Sequence, residues 1–248
     1  ILTRFTESMF NGEPDARAYE FVLNQLRSWG YQEGIDLFEQ EFKPFTGGET
    51  STWKNIIVEI PGKDPDLAHE QVLMTAHLDS ITFTDPEERA PGADDNGSGV
   101  ATLLEAARLF KDKSFARTIR IIFFTGEELG LHGSTAYTID YRDTLEDVVG
   151  VFNLDMFGYD SDNDRCFEMH VGWMEDSNLV AGCMADTIET YEIDLIFDYL
   201  VREAKGSSDH VNFWNKGVGA IEVLENFDTH DMDGGCQASD KNPNYHTE

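Results

Sequence analysis

Residues 118–132 read TIRIIFFTGEELGLH. The first seven are almost all apolar and β-branched or aromatic, the pattern of a strand buried on both faces of a sheet. A glycine turn follows, then two adjacent glutamates, Glu127 and Glu128, then a helix-like stretch. Adjacent carboxylates repel each other. A buried strand that ends in two of them calls for a strongly positive partner, and the rest of the chain can be searched for it.

The same rhythm recurs on either side. QVLMTAH (71–77) is a second continuous apolar strand, and WKNIIVEI (53–60) and VVGVFNLDM (148–156) read as further strands. CFEMHVG (166–172) and VGAIEVL (218–224) add two more. Between them lie helical patterns at VATLLEAARLFKD (100–112) and DSNLVAGCMADTIETY (176–191). GSTAYTIDYRD (133–143) and SDHVNFWNKG (208–217) read as shorter helices, the latter closed by Gly217. GEPDARAYEFVLNQLRSWGY (12–31) reads as a first helix, with Pro14 and Asp15 in its first turn and Gly30 as its stop. Strands that alternate with helices predict an α/β protein of three αβα layers. Its twisted central sheet is mostly parallel, with helices on both faces. No repeat or linker divides the 248 residues, so a single domain over 1–248 is expected. The tail from Phe227 to Glu248 has no periodicity.

Ligand sites in such sheets lie beyond the carboxyl ends of the strands. His77, Leu78 and Asp79 follow one strand, Glu127 and Glu128 another, and Asp155 a third. Asp94, Asp95 and Asn96 sit in a glycine-rich loop that opens a helix. Each alone has a plainer reading: a strand-end histidine is usually structural, paired acids are usually solvated, and aspartates often cap helices. Together they gather histidine, aspartate and glutamate on one edge, the ligand set of zinc and similar divalent metals. Such a metal would be the positive partner of Glu127 and Glu128.

Composition narrows the function classes. Forty-eight acidic residues against 18 basic ones give a net charge of −30. That excludes nucleic acid and anionic membranes as expected partners and suits metal ions and free amines, although most of the charge serves solubility. No apolar run is long enough to span a bilayer. Three cysteines, Cys166, Cys183 and Cys236, do not make a disulfide framework but leave room for one pair and one free thiol. Cys236 alone reads as a plain buried thiol. His132, His170 and His230 read as surface or helix-end residues, and Asp209 and His210 as structural. Tyr199–Ser208 reads as pocket wall.

AHLDS (76–80), APGADDNGSG (90–99), FFTGEELGLHGS (123–134), NLDM (153–156), SSDH (207–210) and NPNYHTE (242–248), in that order, resemble the co-catalytic zinc aminopeptidases of the bacterial leucyl aminopeptidase type, in the MH clan of metallopeptidases. The resemblance runs from the first helix to the last residue and implies the phosphorylase/hydrolase-like fold of zinc peptidases. It implies two zinc ions per chain, one held by His77, Asp155 and Asp95, the other by Glu128, His246 and the same bridging Asp95. It implies that Glu127 is the catalytic acid/base, that Asp79 orients the site, and that Tyr245 stabilises the oxyanion. EAKGSSDH (203–210) lacks a cysteine that some relatives carry there, which implies a differently shaped pocket wall.

The activity implied is release of the N-terminal residue from peptides by a water that bridges the two zinc ions, with partners restricted to peptides that have a free amine. A monomer is expected. Ile1 is not an initiator methionine, and a secreted or periplasmic location is expected, with any leader outside this sequence. A glutaminyl cyclase that forms pyroglutamate at a zinc site is the alternative. A carboxypeptidase or dipeptidase of the clan would need an inserted lid domain. A catalytically dead binding domain of the same fold would be expected to lose ligands.

Overall fold

A computed structural model of the chain describes residues 17–44, 51–85, 89–227, 235–236 and 239–247. The strands among them are β1 (Leu37–Phe42), β2 (Trp53–Ile60), β3 (Gln71–His77), β4 (Thr118–Phe124), β5 (Val148–Leu154), β6 (Cys166–His170), β7 (Ile196–Leu200) and β8 (Ala220–Glu225). The helices are α1 (Arg17–Ser28), α2 (Gly97–Phe110), α3 (His132–Asp140), α4 (Glu175–Thr190) and α5 (His210–Trp214), with a 3₁₀ segment at Arg142–Asp147. Gly30, with φ of 89°, follows α1, and Gly217, with φ of 78°, follows α5, as the sequence pattern requires. Pro14 and Asp15 lie outside the described residues.

The strands form one sheet in the order β1-β2-β4-β3-β5-β8-β6-β7. β4, β3, β5 and β8 run parallel to one another, and so do β6 and β7. β1, β2 and the β6–β8 pairing are antiparallel, so the sheet is parallel at its centre and mixed at its margins.

Strand alternation assigns the two faces. Ile121 and Phe123 pack with α1, α2 and α4, whereas Ile122 and Phe124 pack with Tyr137 of α3 and Phe213 of α5. All four β4 residues are completely buried. Full burial of such a side chain contributes about 1.5–3 kcal/mol, so this apolar run fixes the strand's place at mid-sheet. The four central parallel strands therefore deliver their carboxyl ends to one edge.

Two strands depart from the sequence reading. LFEQEF (37–42) is a charged, alternating edge strand, and IFDYL (196–200), of which Tyr199 and Leu200 were expected as pocket wall, pairs with β6. Cys166 and Cys236 form a disulfide across 70 residues, with Cys183 free and exposed. Cys236 is thus not a thiol. His170 is neither at the surface nor at a helix end. It is fully buried in β6 and its Nε2 bonds Glu168 at 2.9 Å. His132 does start α3, but it is buried edge-on against Trp53. His230 lies outside the described residues.

Candidate metal centre

His77 closes β3, and its ring is held by the turn of chain just beyond the strand. Its Nδ1 lies 3.1 Å from the Asp79 carbonyl, which accepts the proton and leaves the Nε2 lone pair pointing into the site. That Nε2 is 3.2 Å from Asp95 Oδ1 and 3.2 Å from Asp155 Oδ1. On the far side of Asp95, its Oδ2 is 3.0 Å from His246 Nε2, which is in turn 3.1 Å from Glu128 Oε2. Two groups of donors result, His77–Asp95–Asp155 and Asp95–Glu128–His246, each with its ligand atoms within 4.8 Å of one another and with Asp95 common to both.

The local sequence explains each position. Asn96 caps α2: its Oδ1 accepts the Gly99 N–H at 3.0 Å and its Nδ2 donates to the Leu154 carbonyl at 2.8 Å. That ties the Asp95 loop to the end of β5. A Cβ at Gly99 would stand 2.7 Å from the Leu154 carbonyl, so only glycine allows the approach. Gly126 turns the chain after β4 with φ of 76° and presses against the Trp53 ring, which brings Glu127 and Glu128 back over the sheet edge. The Asp79 carboxylate accepts the N–H of Glu127 at 3.2 Å and of Glu128 at 3.3 Å. Ser208 donates to Asp155 Oδ2 at 2.6 Å. His246 stacks on Tyr245 at 3.8 Å between ring centres, and Phe83 meets its edge.

The electrostatics are those of a site built around positive charge. Burial opposes ionisation of Asp95, yet the imidazoles of His246 and His77 hold its carboxyl well below the usual range. Burial would lower His246, but Asp95 and Glu128 push it up to about 9. Burial likewise opposes a charge on His77, and the Asp155 and Glu127 carboxylates outweigh it. Burial raises Glu128, with His246 opposing, and raises Glu127 well above the ordinary value, with His77 opposing. Burial lifts Asp209 to about 7 beside the same cluster. Tyr245 is raised by burial and then by the surrounding carboxylates.

The donor set fits zinc. Ligands about 2.0–2.1 Å from a tetrahedral ion stand roughly 3.3 Å apart, close to the separations found within each group. His246 Nε2 is buried and faces two carboxylate oxygens without a well-aligned hydrogen bond to either, as a nitrogen reserved for a metal would.

All eight residues singled out in the sequence meet at this edge. His77, Asp95, Glu128, Asp155 and His246 supply the donors, and Asp79 lies beneath them. Glu127 and Tyr245 line a cavity of about 300 Å³ that opens onto the donors. The sequence reading placed Ser208 only in the pocket wall and missed its contact with Asp155, which needed the fold, and it missed the cavity lining of Met156, Glu222 and Leu224. Glu222 is hidden in sequence because VGAIEVL reads simply as a strand.

Comparison with known proteins agrees with this geometry. Leucine aminopeptidase 1 of Trichophyton rubrum is 45% identical over 112 residues, which cover 42% of this chain and 29% of that protein. The structure of a zinc aminopeptidase from Bacillus subtilis matches with a TM-score of 0.62 at 32% identity, covering 79% of this chain and 44% of that one. The chain thus spans less than half the length of these relatives. A glutaminyl cyclase from an Acidobacteriales bacterium shares the fold, with a TM-score of 0.73 at 18% identity over 98% of this chain and 80% of its own. Residues 55–248, which include every donor of the two groups, match peptidase family M28, and the chain belongs to that family.

Proposed function

We propose that this chain is a zinc aminopeptidase that removes the N-terminal residue of peptides with two ions per chain. The observation that carries the reading is Asp95, whose two carboxylate oxygens face one histidine each in two separate donor groups. His77, Asp95 and Asp155 would hold one ion, and Asp95, Glu128 and His246 the other. Zinc in such a site supplies Lewis acidity and lowers the pKa of water towards ~7.

The chain's own residues do the rest. Glu127 lines the cavity beside the donor groups and serves as the general acid/base. It takes the proton of the attacking water and returns it to the leaving amine. Tyr245 lines the same cavity, and its hydroxyl would donate to the carbonyl oxygen as that oxygen gains charge. Asp79 fixes the His77 ring and both glutamate N–H groups, and Ser208 fixes Asp155. The acidic edge draws a protonated α-amine and sets the register at the first peptide bond.

Zinc-loaded protein should therefore release the first residue of free peptides and leave N-acetylated ones intact. Product analysis by mass spectrometry checks this, and comparable turnover of acetylated peptides would sink it. Formation of pyroglutamate from an N-terminal glutamine without chain cleavage would replace it with the cyclase reading. The likeness to a cyclase concerns the fold, whereas the paired donor groups favour the peptidase.

A further inference from the structure

Asp94 stands next to Asp95 in the chain but belongs to neither donor group. Its carboxylate joins two other pieces of chain to the loop that presents Asp95. Oδ1 accepts the N–H of Gly158, on the loop that leaves β5, at 2.8 Å, and Oδ2 accepts Asn242 Nδ2 at 2.7 Å. A Cβ at Gly158 would stand 2.8 Å from Oδ1, so a side chain there would displace the carboxylate. Burial, with the Asp94 charge adding to it, pushes the neighbouring Glu225 carboxyl up to about 9, so Glu225 brings no second charge there at neutral pH.

Asn242 in turn builds the turn that carries His246. Its Oδ1 accepts the Asn244 N–H at 2.9 Å, its carbonyl the Tyr245 N–H at 3.3 Å, and the Asn244 carbonyl the Thr247 N–H at 3.1 Å. His77 ends β3 and Asp155 directly follows β5, but His246 belongs to no strand or helix. Its φ of 54° is a left-handed backbone that the surrounding contacts must hold. The Phe83 N–H donates to its carbonyl at 3.3 Å, a long bond, and the contacts of Asp240 with Ser161 are exposed to competing water. Asn242 is only 8% exposed.

We infer that Asp94 is a positioning residue: by gripping Asn242 it sets His246 against Asp95 and Glu128 and so keeps that donor group fit to hold an ion. Two successive residues then divide the work. Asp95 faces both donor groups, and Asp94 ties the turn of the last donor to the loop that presents Asp95. The His77 group, built on the ends of β3 and β5, does not depend on the grip.

This rests on the two-ion aminopeptidase reading, and the test separates the two. Zinc-loaded protein is dialysed against graded zinc buffers and its metal content measured, for wild type, Asp94→Asn, Asn242→Asp and the double variant that exchanges the two residues. His246→Ala identifies the occupancy step that belongs to His246. Asp94→Asn sets amide against amide, and Asn242→Asp sets carboxylate against carboxylate, so each breaks the grip. The exchanged pair restores both the bond and the net charge. Each single variant should weaken the His246 step by roughly 10–100-fold and spare the other step, and the exchange should recover the wild-type affinity. The single variants change charge in opposite senses, so a purely electrostatic influence would move their affinities in opposite directions. That result, equal weakening of both steps, or an exchange that recovers nothing overturns the inference. Should a single variant fail to fold, the exchanged pair decides. A single wild-type step that His246→Ala abolishes and both single variants weaken keeps the inference and removes the two-ion reading. A single step indifferent to His246→Ala removes both. The expected zinc affinities without release of any N-terminal residue leave the inference standing and remove the peptidase reading.

Discussion

The backbone N–H groups of Glu127 and Glu128 share one acceptor, the Asp79 carboxylate, but their side chains go to different neighbours. Glu128 Oε1 takes the Ile81 N–H at 3.2 Å and its Oε2 faces His246, whereas Glu127 turns to the open cavity near His77 and Asp155. Adjacent acids in one turn are thus given separate environments, and their amide variants should fail differently. Glu127→Gln keeps shape and packing but cannot accept a proton. It should retain both ions and lose roughly 10²–10⁴ in kcat. Glu128→Gln removes one charge from a donor group. It should lose part of one ion, and added zinc should recover part of the rate. Metal analysis and kcat for the two proteins side by side decide the matter. Loss of metal in Glu127→Gln with full metal in Glu128→Gln would reverse the roles. Near-normal rates and metal in both would make them ordinary surface acids.

At the level of elements, β3, β4, β5 and β8 were legible because burial on both faces leaves a run in which apolar residues predominate. Their carboxyl ends then located the donors. β7 was not legible, because IFDYL carries Asp198, an acid that looks like loop. Its carboxylate is buried and accepts the N–H groups of Gly235 and Cys236. β1 escaped notice because an edge strand needs no apolar run. The burial of His170 followed from the same topology: β6 lies between β7 and β8, and His170 faces Glu222 across the β6–β8 ladder. Three cysteines admit more than one pair, so only the fold could join Cys166 to Cys236. That bond and Asp198 together tie the segment before His246 to β6 and β7. Replacing both cysteines by serine should lower unfolding free energy by about 2–4 kcal/mol, read from denaturant midpoints at unchanged slope. Thiol titration of the unfolded, unreduced protein should find Cys183 alone; three reactive thiols would show that the bond does not form.

Across the whole molecule, the net charge of −30 and the buried donor cluster predict that stability depends on bound cations. Stripping zinc leaves Asp95, Glu128 and Asp155 close together inside the fold, so chelation should lower Tm and zinc should restore it. The size of that drop should itself depend on pH. In the metal-free protein, His246 has its pKa raised to about 9 and His77 is raised well above its ordinary value. Protonated, the two rings partly replace the missing ions. A histidine whose folded pKa lies above its unfolded one stabilises fully below the unfolded value, near 6.5, and loses that contribution as pH rises through the folded one. The metal-free protein should therefore lose stability between pH 6.5 and about 9. The zinc-loaded protein behaves oppositely, since ligation requires neutral imidazoles and competes with protons at low pH. The gap in Tm between the two forms should widen steadily from pH 6 to pH 9. Scanning calorimetry of both forms across that range measures it. A gap that is constant, or that narrows with pH, would mean that His77 and His246 do not carry the charge of the metal-free site.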